Sequence, residues 1–564
     1  MPDAPVSAPP ALALTAVSTS TGARRISRVG AALLILYFTL VFQGLEFSGA
    51  GVMERDGYYH ARYSQMLPEF GLSRSFPWMD AARFRDNWCD KDFLYHVFLA
   101  PFCQDPVDPI IGAQWATVLL FALTLALSYV IAERLGMRFP VLLPAILGAG
   151  GALWWLRMLM VRSHVISVLF LMAAMALAYA EVAGRLKRAW LWIGILGFLY
   201  AWSYSMPPLL LWVVGAAAIG RYIGGGGLEW KTTLAAAVSV GLGLIVHPYS
   251  PATLETLFTH VHVALTGMGM QQTAHASGVG TEFHPLPFVE GFLRSETIVA
   301  VLVVLCALFA FQAWRRKQLR PATVAALCVA LCALALNFRF TRFAEYNIPA
   351  WALTAGMVWT DRFRDLDLGE LYRAQKLKAA AVLVACVALI AGLNWWTVYE
   401  LQPVMAKQPP VAFRGAARWM EKNLEPNEVV LNFWWSDWPE LYYTSQRQRY
   451  TVGLDPQFLD RYHPERSRIL DGMRTGRVPI DFNVLRETFR VRVMVISRRV
   501  AVHYPPLRNR KWKSAYEDED AVIYWLNDTN TPIPFSAEMN GLTPTASTQR
   551  SQRTQSSQRK NEEL

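Results

Sequence analysis

The chain has 564 residues, of which 53% are hydrophobic and only 17% charged, with 21 Trp and 29 Phe. Water-soluble domains carry about 25% charged residues, so a string of soluble domains is excluded, as is a disordered or fibrous chain. The net charge of +11, from 54 basic against 43 acidic residues, points in so apolar a chain to basic loops on the cytoplasmic side of a membrane, and no nucleic-acid partner is expected.

Residues 1–25 are rich in Ala, Ser and Pro and read as a disordered tail. Apolar runs long enough for a hydrocarbon core of about 30 Å then lie near 30–47, 111–131, 139–156, 165–183, 189–205, 206–223, 232–247, 297–314, 321–337, 343–360 and 379–397. This predicts a polytopic α-helical membrane domain over 26–397 with about 11–13 spanning helices. No small-residue cleavage site follows the first run, so it reads as a retained helix rather than a signal peptide.

Basic clusters fall on alternate loops: Arg24-Arg25, Arg134 with Arg138, Arg185 with Lys187-Arg188, Arg221 with Lys231, Arg315-Arg316-Lys317, and Arg373 with Lys376 and Lys378. Positive-inside puts these in the cytoplasm with the N-terminus. Five connections then lie outside: 48–110, 157–164, the turn near Ser205-Met206, 248–296 and 338–342. Cys89 and Cys103 share the first of them, where either a disulfide or two separate buried thiols is open. Residues 398–530 mix an amphipathic helix, Ala416–Leu424, with β-branched and aromatic runs at 429–433, 491–496 and 521–525. They read as a soluble α/β domain in the periplasm of a bacterial inner-membrane protein. Residues 531–564 read as a disordered polar tail.

Four polar segments on the outside carry the candidate chemistry. The first loop holds Asp56-Gly57-Tyr58-Tyr59-His60, then Phe76-Pro77-Trp78, then Asp92 and His96. A carboxylate with a nearby imidazole suits a hard cation or acid–base work, although Asp56 also fits a helix cap. The second segment is Thr281-Glu282-Phe283-His284-Pro285, late in a long loop. The third carries Arg339 and Arg342 at a helix junction. Arginine at membrane depth needs an anionic partner, either Glu345 or a phosphate-bearing head group gripped by the guanidinium. The fourth is Trp434-Trp435-Ser436-Asp437-Trp438, three Trp around one Asp.

In this order the segments resemble the membrane glycosyltransferases of the GT-C fold, and most nearly the catalytic subunit of oligosaccharyltransferase with its bacterial and archaeal single-subunit forms. The resemblance spans about residues 30–525 and implies a polyprenyl-(pyro)phosphate-linked sugar donor, with transfer on the outer face to protein asparagine or to a lipid or glycan acceptor. It implies Asp56 and Glu282 as catalytic residues and Arg339 and Arg342 on the donor phosphate. Glu282, Trp434, Trp435 and Asp437 would meet the acceptor. A divalent cation, Mg or Mn, would sit on Asp56. The family's second acidic motif is replaced here by Leu159-Met160-Val161-Arg162-Ser163-His164-Val165, so His164, or Asp92 with His96, would have to complete the metal shell. The Trp-Trp-Asp motif carries an additional residue, Ser436. A flippase or transporter of lipid-linked glycans, and a non-catalytic glycan sensor, are the readings from other classes. Nearly charge-free apolar spans favour chemistry on the loops over transport.

Overall fold

The computed structural model of the chain describes residues 21–227, 229–266, 284–366, 374–454, 457–502 and 514–526. Helices α1 (Thr21–Glu46), α2 (Asp56–Phe70), α3 (Phe93–Leu99), α4 (Pro109–Arg134), α5 (Leu142–Gly148), α6 (Ala152–Met158) and α7 (His164–Val182) come first. They are followed by α8 (Ala189–Ser203), α9 (Leu209–Ile223), α10 (Trp230–Val246), α11 (Ala252–Thr266), α12 (Thr297–Arg315), α13 (Pro321–Arg339), α14 (Ala344–Arg362) and a long helix Lys376–Met405. All eleven apolar runs are helical, and the last one continues past residue 397 to Met405.

Among the described residues, six helices are long and apolar enough to cross a membrane, and α8, α9 and α10 are shorter apolar helices. The Lys376–Met405 helix buries only 6% of its apolar window inside the protein, and α1 and α12 bury 28%. Their outward Leu33, Leu36, Leu40, Val304, Phe311, Val382 and Leu383 form a belt too large and too apolar to face water. The chain is an integral membrane protein. Helix α14 is the opposite case: nearly every residue from Ala344 to Val358 is buried, which explains how it tolerates Glu345 and Asp361 in its length.

The run at 139–156 departs from the single helix its hydropathy predicts. It is two seven-residue helices, α5 and α6, separated at Ala149–Gly151. Gly148, Gly150 and Gly151 carry the weakest helix propensity of ordinary residues. The carbonyls freed by the break are satisfied inside the protein: the indole N–H of Trp154 donates to Leu147 and that of Trp155 to Gly148, at 3.0 and 3.1 Å. Asn394 and Thr397 of the long helix donate to Gly148 and Gly150. Broken backbone at membrane depth is stable where protein covers it in this way.

The loops sort to two ends. Arg28 meets Glu133, Arg185 donates to the Arg134 carbonyl, Arg138 to the Arg364 carbonyl, and Arg320 pairs with Asp361. These are the loops that carry the basic clusters. At the other end Arg162 meets Glu54, Arg342 meets Tyr204, Tyr63 meets Tyr249, and the Leu286 amide donates to the Phe338 carbonyl. The connections grouped by charge alternation therefore come together in space.

Beyond the long helix, β1 (Val429–Asn432), β2 (Arg449–Tyr450), β3 (Val493–Ser497), β4 (Ser514–Glu517) and β5 (Ala521–Trp525) form one sheet in the order β2-β1-β3-β5-β4. Its first three strands are parallel and β3-β5-β4 antiparallel. The three runs expected as strands are β1, β3 and β5. Strand β3 is buried at all five positions, as a central strand covered on both faces should be. The first loop docks on the edge of this sheet: the amides of Asp80 and Ala81 donate to the carbonyls of Tyr450 and Thr451 at 2.7 and 3.1 Å.

Candidate active site at the loop end of the bundle

Asp56 opens α2, where the helix dipole favours a negative side chain. The N-cap position itself is Arg55, whose side chain makes no capping bond. The Asp56 carboxylate meets Arg162, in the turn between α6 and α7, at 3.1 Å, and the same guanidinium meets Glu54 at 3.5 Å. Gly57 permits this approach, since a Cβ there would lie 3.0 Å from the Val161 side chain. The three charged side chains are 20–28% exposed, enough for a ligand to reach them.

The residue before Asp56 does something different. Arg55 pairs with Asp437 at 3.1 Å and with Glu440 at 3.2 Å. Asp437 is fully buried, and its other oxygen accepts the Ser497 amide of β3 at 3.2 Å. Burial, with Glu440 nearby and against the pull of Arg55, pushes the Asp437 carboxyl up to about 6. Around it, Trp438 stacks on Tyr442 with centroids 5.0 Å apart and donates to the Trp78 carbonyl. Phe76 and Trp78 both pack on Tyr442. The Phe-Pro-Trp and Trp-Trp-Ser-Asp-Trp segments, expected as separate features, are therefore the two halves of one junction between the first loop and the sheet region. Trp434 is buried under the guanidinium of Arg474, 5.5 Å from its centroid, and Trp435 begins the 3-10 turn that ends at Asp437.

One helical turn from Asp56, His60 begins a buried chain. The ring nitrogens His60 Nδ1 and His96 Nε2 are 2.7 Å apart, and His96 Nδ1 lies 2.8 Å from Asp90 Oδ1. With neutral rings, one proton arrangement serves both contacts: His96 donates to the Asp90 carboxylate and accepts from His60. Burial, reinforced by His96, holds the His60 pKa well below its ordinary value, which favours this neutral form. Asp92 faces Lys91 at 3.1 Å instead of joining His96. Burial raises its pKa, but Lys91, His60 and His96 outweigh that and hold it ionised.

His164 is buried at the start of α7, its Nε2 2.6 Å from the Arg157 carbonyl. Arg157 in turn makes a buried two-nitrogen ion pair with Glu345 at 2.6 and 2.9 Å. Glu345 is thus the ion-pair partner of Arg157, a residue that sequence reading passed over, and it also feels the charge of Arg342. The clue was an arginine inside an apolar run, which demands an acidic partner. Arg342 donates to the Tyr204 hydroxyl at 2.9 Å, and the Arg339 guanidinium lies 4.9 Å from the Phe340 ring centre. His260 of α11 feels the charges of Lys91, Arg342 and Asp92 together, so the first loop and the 338–342 connection border one space. Glu282 lies outside the described residues. His284, two positions on, accepts the Thr341 amide at 3.0 Å.

Asp56 pairs with Arg162, Asp92 with Lys91, His96 with Asp90, and His164 with the Arg157 carbonyl, and no group of three or more His, Cys, Asp or Glu side chains suited to an ion exists among the described residues. The near partner of Asp56 is itself a cation. Among the described residues this donor set does not by itself form the divalent-metal site that the resemblance implies. Cys89 and Cys103 are two separate buried thiols.

No protein-family model and no curated protein sequence matches the chain. Its structure is similar to solved ones. The oligosaccharyltransferase of Archaeoglobus fulgidus in the apo form matches with a TM-score of 0.59 at 13% identity, over 86% of this chain and 73% of that one. The same enzyme tethered to an acceptor peptide containing the NVT sequon matches at 0.57 and 13%, over 90% and 76%. ArnT from Cupriavidus metallidurans bound to undecaprenyl phosphate matches at 0.52 and 16%, over 90% of this chain and 98% of that one. The chain has the GT-C fold. In that fold the Asp56–Arg162 contact lies on loops of one end of the bundle, together with Arg339, Arg342 and the buried histidine chain.

Proposed function

We propose that the protein is a membrane glycosyltransferase that takes a sugar from a polyprenyl-phosphate or -pyrophosphate donor and passes it to an acceptor at the outer face of a bacterial inner membrane. The observation that carries this reading is the partly exposed carboxylate–guanidinium contact of Asp56 and Arg162 at the loop end of a GT-C bundle. Asp56 acts as general base on the acceptor, within reach of solvent and at a helix N-terminus. Arg339 and Arg342 hold the donor phosphate, whose planar oxygen pairs suit guanidinium forks. Binding of undecaprenyl phosphate by a protein of this fold supports the choice of lipid. Glu282 orients the acceptor.

The acceptor we favour is a lipid or glycan rather than protein asparagine. Asp437 is sealed between Arg55 and the Ser497 amide, so the Trp-Trp-Ser-Asp-Trp segment has little left to offer a peptide. The test is product identity. Proteoliposomes holding the full chain and a radiolabelled polyprenyl-phosphate sugar are incubated with lipid, glycan and asparagine-peptide acceptors. Label in lipid or glycan is expected, and label in the peptide alone contradicts this choice. No transfer to any acceptor, with donor still bound, favours the sensor reading.

A further inference from the structure

The sheet carries a second group of charges, at the opposite end of its strands from the junction with the first loop. Strand β3 ends at Ser497, whose amide reaches Asp437 in that junction. At the other end of β3, a cleft of about 490 Å3 is lined by Glu428, Val429, Arg486, Arg490, Val491 and Arg492. That volume falls within the roughly 300–1,000 Å3 of small-ligand sites. Three of the six lining residues are arginines and one is an acid.

The acid is already matched. Arg492 meets Glu428 through two nitrogens, at 2.5 and 2.9 Å, and its guanidinium stands 5.5 Å from the Trp525 ring centre. This pair makes a fixed wall. Arg486 and Arg490 belong to the helix Phe482–Phe489 and its C-cap. The amides of Arg490 and Val491 both donate to the Arg486 carbonyl, which closes the last turn and brings the two arginines to one rim. Arg490 has a left-handed backbone, with φ at 54°, in a helix-ending turn where glycine is usual. A long side chain held in that conformation is an outlier of the kind that accompanies use. Glu425 and Glu487, the other acids near these arginines, do not line the cleft. Glu487 is 3.7 Å from Arg486 and 75% exposed, where solvent and salt screen it.

We infer that this cleft is a second binding site, which takes an anionic group with paired oxygens, a phosphate or a carboxylate, on Arg486 and Arg490. Guanidinium forks match such oxygens two by two. An acidic saccharide and free phosphate both bring that chemistry. The cleft shares no residue with the Asp56 site, and the inference does not rest on the transfer reading.

The test is calorimetric titration of inorganic phosphate, of glucuronate and of uncharged glucose, each separately, into the full chain in zwitterionic nanodiscs at low salt. Arg339 and Arg342 offer phosphate another place, so the quantity read is the binding that depends on Arg486 and Arg490. Glycine suits the left-handed position, so Arg490→Gly is expected to keep the fold. It should weaken anion binding by about 10-fold, and Arg486→Ala with Arg490→Gly should remove one bound anion per chain. Glucose should bind to neither protein. Tighter glucuronate than phosphate identifies a charged sugar as the ligand, and the reverse identifies free phosphate. A wild type that binds neither anion overturns the inference, and so does a double variant of native thermal stability that binds both anions as the wild type does. No arm measures transferred sugar, so failure here is distinguishable from failure of the transfer reading.

Discussion

Arg55 and Asp56 are neighbours in the chain and opposites in use. Arg55 turns toward a fully buried carboxylate and locks the first loop to the sheet. Asp56 turns toward a partly exposed guanidinium, where solvent and a ligand can arrive. The same two charge types thus serve rigidity on one side and reactivity on the other, and burial of the carboxylate is the difference, 0% exposed at Asp437 against 20% at Asp56. A pair whose carboxylate is fully buried stabilises chiefly because breaking it leaves buried polar groups unmatched, whereas a pair with both partners partly exposed contributes little to folding. Substitutions at the two sites should therefore separate cleanly into losses of activity and losses of stability.

The largest effect is expected at the open site. Asp56→Ala should lower sugar transfer on the order of 100-fold or more and leave the melting temperature within a degree or two of wild type. An equal loss of stability would make Asp56 a structural residue. The next effect is at the sealed site. Asp437→Ala leaves Arg55 with Glu440 alone and the buried Ser497 amide without its acceptor, and should cost about 1–3 kcal/mol in denaturant unfolding, with transfer retained in whatever protein stays folded.

Proton linkage sharpens the contrast. The folded Asp437 carboxyl is pushed up to about 6 from 3.8 by burial, so the folded state keeps a proton that the unfolded chain has lost. Its stabilisation is complete below pH 3.8 and is lost as pH rises through 6, a total of about 3 kcal/mol. Unfolding curves between pH 4 and 7 should show this slope, and Asp437→Asn should flatten it. A slope unchanged in Asp437→Asn would place the titration elsewhere. The smallest effect is at Gly57. An added methyl must push Val161 by a few tenths of an ångström, enough to loosen the Asp56–Arg162 contact, so Gly57→Ala should cost transfer on the order of 3-fold, read as a lower kcat at unchanged stability.

Much of the scaffold was legible in the chain. Apolar run length marked the helices, alternation of basic clusters grouped the loops, and β-branched runs marked β1, β3 and β5. These signals are local, and each stretch carries its own. The break between α5 and α6 was less legible, because three glycines are a weak signal until Trp154 and Trp155 are seen to satisfy the freed carbonyls. The partners of charged groups were not legible at all. Arg157 finds Glu345 across 188 residues, and Arg55 finds Asp437 across 382. Such pairings are decided by how helices pack. For the same reason the Trp-rich segment read equally as a pocket or as a core junction, and only packing shows that it joins the first loop to the sheet region.

The most direct measurement is sugar transfer in proteoliposomes by wild type, Asp56→Ala and Asp437→Ala, each checked for folding. Wild-type transfer, its loss in Asp56→Ala and its persistence in folded Asp437→Ala are the predicted result. Full activity in Asp56→Ala would contradict the assignment of this carboxylate to the chemistry.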